Sequence, residues 1–246
     1  PEDLATWFFE SADSGSLARY LDAFTETIAL MQDADSLRRV AREFVVDMAT
    51  DGVIYAEARW APQQHLTGGL SAAEAVEAVQ VGLVDGMESA SLSGTTIIAR
   101  QILCLMRHLD VPEDVVDLAV NHAPGVVGVD VAGPEDGFPL APFTNALTRV
   151  QAAGIHLTVH AGEAAGPESI LDALNHGAER LGHGVRIIED RDESGWGPTA
   201  QQVLSNQVPL EVCPTSNTQT GICRKVAEHP LSTLWSTAVS YTHLRA

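Results

Sequence analysis

The chain has 246 residues, with 33 Asp+Glu against 14 Lys+Arg and a formal net charge of −19. That charge repels nucleic acid phosphates and acidic membrane surfaces, and no apolar run approaches the roughly 18 residues that a membrane span needs. With 45% hydrophobic residues, 20 Gly and 12 Pro, the composition is globular, which excludes disordered, collagenous and low-complexity classes.

In chain order, residues from Trp7 to Met31 read as helices. Leu37, Val40, Ala41, Phe44, Val45 and Met48 recur at three- and four-residue steps, so a helix follows, with Gly52 as its stop. Val53–Trp60 reads as a strand. Ser71 with Glu74 forms a capping box that opens a helix running to about residue 90. A second strand is expected at Thr95–Ala99, and Pro112 takes a first helical position ahead of Val115, Val116 and Ala119. Val126–Val131, His156–His160, a run at Arg180 and Pro209–Val212 read as further strands. Helices at Pro142–Ala153, Pro167–His176 and Pro198–Asn206 alternate with them.

Strand starts mostly fall near 30 residues apart, the size of one βα unit. Six or more such units in series mean a parallel sheet, either a (β/α)8 barrel or a doubly wound sheet. No Pro/Gly/Ser-rich linker interrupts them, so residues 1–240 read as one domain. The glycine signatures of nucleotide-binding doubly wound folds are missing. Cys104, Cys213 and Cys223 have no C-x-x-C spacing and fit a reducing cytoplasm. Pro1-Glu2-Asp3 has no basic, apolar leader marking secretion.

In a barrel, chemistry gathers where strands end, and four clusters fall there. His160-Ala161-Gly162-Glu163 pairs an imidazole that can bind Zn²⁺ with a carboxyl that can move protons, or else both side chains are satisfied by backbone bonds. His183, between Gly182 and Gly184, is open to a pocket, unless it only shapes a turn. Around Gly133, a glycine N–H can meet a flat ligand with no Cβ in the way, unless this is an ordinary loop glycine. The same stretch carries Asp130 in an apolar strand, where it must find hydrogen bonds. Glu211–Asn217 reads as structural: Pro214 ends a strand, the Thr-Ser-Asn cluster ties a loop, and Cys213 has no ligand company.

Taken in order, A-E-A-R-W at Ala56–Trp60, D-x-A-G-P-E at Asp130–Glu135, T-V-H-A-G-E at Thr158–Glu163, R-L-G-H-G at Arg180–Gly184 and E-V-C-P-T-S-N at Glu211–Asn217 resemble the adenosine deaminase family. The resemblance implies an α/β fold, a (β/α)8 TIM barrel, and hydrolysis of adenosine to inosine and ammonia in purine salvage; whether 2′-deoxyadenosine is handled as well is left open by the sequence. It implies His160 as a ligand of one Zn²⁺ and Glu163 as the acid that protonates the purine ring nitrogen. His183 would orient the attacking oxygen, and Gly133 would hold the base's other edge. The partner implied is a small nucleoside, with no nucleic acid or membrane.

The chain departs from the family pattern at both ends. The family carries a His-x-His pair on its first barrel strand and consecutive Asp-Asp on its last, and this sequence contains neither. His229-Pro230-Leu231 matches the approach to the last strand, Ala238–Ser240 the strand's start, and residues 241–246 read as a non-native tail. The expectation is an incomplete barrel of six to seven βα units, inactive as this chain alone. Adenine deaminases of the family show Asp at the place of Gly182 and Leu at that of Thr215, so these two residues favour the nucleoside. Other zinc barrel hydrolases would need a carboxylated lysine or more strand-end histidines. A non-catalytic relative that has lost its metal is the remaining alternative.

Overall fold

The computed structural model describes residues 2–110, 115–193, 195–237 and 241–243. Pro112, Ala238–Ser240 and residues 244–246, for which expectations were stated, lie outside them.

Three short helices come first, α1 (Glu2–Ala12), α2 (Leu17–Asp22) and α3 (Phe24–Ala29), followed by α4 (Ala34–Thr50). The alternating series then runs β1 (Tyr55–Trp60), α5 (Ala72–Leu92), β2 (Ile98–Met106), α6 (Val115–Asn121), β3 (Val126–Ala132), α7 (Thr144–Ala152), β4 (His156–Ala161), α8 (Pro167–Asn175) and β5 (Arg180–His183). A two-residue hairpin, β6 (Arg191–Asp192) with β7 (Gly195–Trp196), precedes α9 (Pro198–Ser205), β8 (Leu210–Val212), α10 (Pro214–Gln219), α11 (Leu231–Ser236) and β9 (Tyr241–His243).

Local chemistry sets the ends of these elements. Asp33 caps α4 by accepting from the Ser36 N–H at 2.8 Å. Gly52, at φ +82°, lets the chain turn out of that helix. The Ser71–Glu74 capping box is formed in both directions at the start of α5. Gly82 and Gly86 let α5 pack tightly on α4: a Cβ at Gly86 would lie 2.5 Å from Val45 Cβ.

The main sheet has the order β1-β2-β3-β4-β5-β8-β9, and every adjacent pair is parallel. β9, in the segment expected to be a non-native tail, pairs Tyr241 with Leu210. Five strand spacings separate β1 from β8, roughly 24 Å if the sheet were flat. Arg59 on β1 nevertheless bonds Glu211 on β8 at 2.6 Å, so the sheet is curled into a partial barrel with these side chains on its concave side. Leu105, Val129, Val131, Leu157, Val159 and Leu181 form one core with α6 to α9. A second core joins α4, α5 and the beginning of β2.

Two expectations need correction. The second strand is Ile98–Met106, not Thr95–Ala99. Arg100 and Gln101 break the apolar pattern, but Gln101 is fully buried and its amide is satisfied by Trp60 Nε1, Gln80 and the Val76 carbonyl. Residues 214–217 begin a helix, α10, rather than a loop, because Pro214 occupies its first turn, where the missing N–H costs nothing.

Candidate functional site

The four residues expected to carry chemistry all lie at the carboxyl ends of β3, β4 and β5. His160 is on β4, Glu163 two residues past its end, His183 closes β5, and Gly133 follows β3. The rings of His160 and His183 stand edge to face, 5.3 Å between centroids. His183 Nε2 lies 3.3 Å from Glu163 Oε2. Gly133 sits across the mouth at φ +97°, where a Cβ would press on His108 Nδ1 at 3.1 Å.

The same point carries backbone strain. His183 adopts φ 62°, in the left-handed region, with Gly184 following at 65°. A β-carbon in that conformation is unfavourable, and such strain persists where the surroundings over-determine it. Gly162, at φ +74°, fits only because it has no side chain: a Cβ would meet Ile170 at 2.5 Å. Gly182 is equally confined, since a Cβ there would come within 2.7 Å of the His160 ring. Gly182→Ala is therefore expected to lower stability by about 1–3 kcal/mol, seen as a reduced urea midpoint. An unchanged midpoint would mean that the His160 ring can move aside freely.

Electrostatics divides the groups. Burial pushes the Glu163 carboxyl up to about 7, against the lowering by His160 and the Thr220 hydroxyl. Thr220 Oγ1 donates to Glu163 Oε1 at 3.0 Å. Burial drives the His183 imidazole down to about 3, so it is neutral at physiological pH. Burial also opposes charge on His160, but the Asp130 carboxylate, 2.9 Å from its Nδ1, more than compensates and raises its pKa. Asp130 is held at about 2 in spite of complete burial, because His160 and Arg59 lie beside it.

Several residues here were not singled out by the sequence reading. Glu135 accepts four backbone N–H bonds, from Gly162 at 2.6 Å, Glu163 at 3.0 Å, Ala164 at 2.7 Å and Ala165 at 3.0 Å. This concave run of amides fixes the loop that carries Glu163. Arg107, after β2, donates to the Phe138 and His160 carbonyls. Beneath the site, Arg59 bonds Glu211 through two contacts of 2.6 and 2.8 Å. Arg180 bridges Glu211 at 2.8 Å and Glu57 at 2.8 Å. The early helices reach the rim: Gly15 donates to the Gln219 carbonyl at 2.8 Å.

The Nδ1 of His160 is engaged by Asp130, which leaves Nε2 as the donor atom, an arrangement common behind metal-bound imidazoles. Among the described residues, however, no three His, Cys, Asp or Glu stand together so as to hold a metal ion. Cys213 turns its Sγ toward the Glu211 carbonyl. The residues present therefore do not by themselves make the zinc site that the resemblance implies.

The sequence profile of the adenosine deaminase family matches residues 1–243. The chain belongs to the adenosine deaminase family. It is 44% identical over 240 residues to the adenosine deaminase of Mycolicibacterium gilvum (strain PYR-GCK), a match covering 95% of this chain and 66% of that protein. Its fold is similar to that of the adenine deaminase from Arthrobacter aurescens, with a TM-score of 0.80 and 25% identity over 95% of this chain and 69% of that one. It also resembles an amidohydrolase from Burkhoderia ambifaria solved with bound Zn, at a TM-score of 0.79 and 24% identity, covering 91% of this chain and 61% of that one. The chain thus spans about two thirds of the length of these relatives. Among the described residues, no helix is long and apolar enough to cross a membrane.

Proposed function

We propose that the whole protein carrying this chain is a zinc-dependent adenosine deaminase of purine salvage, acting in the cytoplasm on adenosine. Water and the nucleoside give inosine and ammonia. The observation that carries this reading is the buried pairing of Glu163 with His183 at one barrel mouth, 3.3 Å from Oε2 to Nε2, where burial raises the carboxyl's pKa and lowers the imidazole's. Glu163 donates its proton to the ring nitrogen beside the amino-bearing carbon, so negative charge does not build up there as the carbon becomes tetrahedral. His183 directs a hydrogen bond at the reacting centre, and the Gly133 N–H holds the other edge of the base. Of the zinc donors, this chain supplies His160. The remaining donors belong to parts of the whole protein that the described residues do not include.

The nucleoside is favoured over free adenine on two grounds. The M. gilvum relative is 44% identical whereas the adenine deaminase is 25% identical. Gly182 also leaves no room for the larger side chain of the adenine-specific pattern against the His160 ring.

The test is ammonia release and loss of adenosine absorbance, with adenine as the competing substrate and with and without a chelator. Adenosine turnover that is abolished by the chelator is the expected result; turnover of adenine alone, or of neither, overturns the reading. The 246-residue chain by itself is expected to be inactive, because one imidazole does not hold zinc tightly. Inosine formation by this chain at the rate of the whole protein would refute that.

A further inference from the structure

A chain of polar contacts behind His183 decides which of its nitrogens carries the proton. Leu231 donates its backbone N–H to His229 Nδ1 at 3.0 Å. A backbone N–H cannot accept, so Nδ1 is the acceptor, and in the neutral ring the proton is on Nε2. Burial lowers the His229 pKa, which favours that neutral ring. His229 Nε2 lies 3.0 Å from Asn217 Oδ1, and the oxygen accepts from it. The amide of Asn217 is thereby oriented, with Nδ2 at 3.0 Å from His183 Nδ1. An NH₂ group only donates, so His183 Nδ1 accepts and its proton is on Nε2, the nitrogen nearest Glu163.

We propose that Asn217 and His229 are positioning residues that hold His183 as its neutral Nε2–H tautomer, so that it meets the reacting centre as a hydrogen-bond donor and not as a base. His183, Asn217 and His229 are 7%, 0% and 5% exposed, so bulk water does not compete for these contacts. The series cannot run in reverse, because its outer end is a main-chain N–H with a fixed direction. His229-Pro230-Leu231, which the sequence marked only as an approach to a strand, supplies both that N–H and the first ring. The effect on turnover rests on the deaminase reading; the tautomer does not.

The experiment is a long-range ¹H–¹⁵N correlation on the [¹⁵N]histidine-labelled whole protein, combined with adenosine kinetics. In the wild type, His183 is expected to show an unprotonated Nδ1 and a protonated Nε2. In Asn217→Asp the carboxylate accepts from both rings, so Nδ1 of His183 gains a proton. Because Asn217 also bonds the Glu163 carboxyl, the effect of the tautomer on turnover is read from His229→Leu, which should lower kcat by on the order of 10²-fold or more while KM stays within about threefold. His229→Gln keeps an N–H donor toward Asn217 Oδ1 and should retain the wild-type signature; His229→Leu should lose it. A wild-type His183 protonated on Nδ1, or a signature that Asn217→Asp leaves unmoved, overturns the proposal. If Asn217→Asp does not fold, the two His229 variants decide it on the same signal. An intact Nε2–H tautomer in a protein that does not turn over adenosine supports the relay and counts against the deaminase reading.

Discussion

Glu163→Gln should lower kcat for adenosine in the whole protein by about 10²–10⁴-fold, the range for loss of a positioned proton donor. Glutamine preserves the shape and can still accept from Thr220, but it has no acidic proton to give. The wild-type enzyme should show kcat falling as pH rises above about 7, since burial holds the Glu163 carboxyl protonated up to there. That alkaline limb should disappear from the residual rate of the variant. Stability follows the opposite sense. A carboxyl whose pKa rises on folding stabilises the fold fully below its ordinary value of 4.5, and this is lost as pH rises through about 7. The variant, which carries no charge at any pH, should therefore gain on the wild type in urea melts at pH 8.5 relative to pH 6. A variant retaining more than about a tenth of wild-type kcat would remove Glu163 from its role as proton donor.

Arg59→Met is expected to cost about 3–5 kcal/mol of folding stability, the usual result of stripping one partner from a buried ion pair. Arg59 neutralises two carboxylates at once, Glu211 at 2.6 Å and Asp130 at 3.3 Å, and their side chains are 1% and 0% exposed. The Asp130 contact is a charge contact and not a hydrogen bond: Arg59 Nε is buried without a bonded partner among the described residues. With the guanidinium gone, Arg180 still holds Glu211 and His160 still holds Asp130, but the surplus negative charge remains on a layer of buried carboxylates. Arg59→Met combined with Glu211→Met should recover part of the loss, because the uncompensated charge is then removed as well. Urea unfolding of the two variants measures both numbers. A single-variant loss below about 1 kcal/mol would show that water reaches the layer and screens it.

Much of the fold was legible because each parallel strand is a short apolar run followed by a helix with recognisable ends. The Ser71–Glu74 box and the prolines at 167 and 198 marked helix starts that the structure retains. The run at β2 was misplaced because Gln101 looks like a strand breaker until its partners Trp60 and Gln80, brought in by β1 and α5, are seen. At the site, His160, Glu163, His183 and Gly133 could be found because each sits in a compact local motif. Arg59 with Glu211, Glu135 with the amides of 162–165, and Asn217 with His229 could not. Arg59 meets Glu211 only once the sheet has curled, Glu135 meets the amides through the pairing of β3 with β4, and Asn217 meets His229 through the turns after α10; none of these pairings has a local spacing that demands it.

Arg59 and Glu211 lie 152 residues apart in the chain. At ordinary translation speeds of about 5–20 residues per second, this guanidinium leaves the ribosome roughly 8–30 s before the carboxylate that grips it most closely. Asp130 emerges in between, so the layer under the site is completed in a fixed temporal sequence. Until β8 emerges, the nascent barrel holds this arginine with only one of its two carboxylates, Asp130, in place, and the charge balance of the layer is completed late.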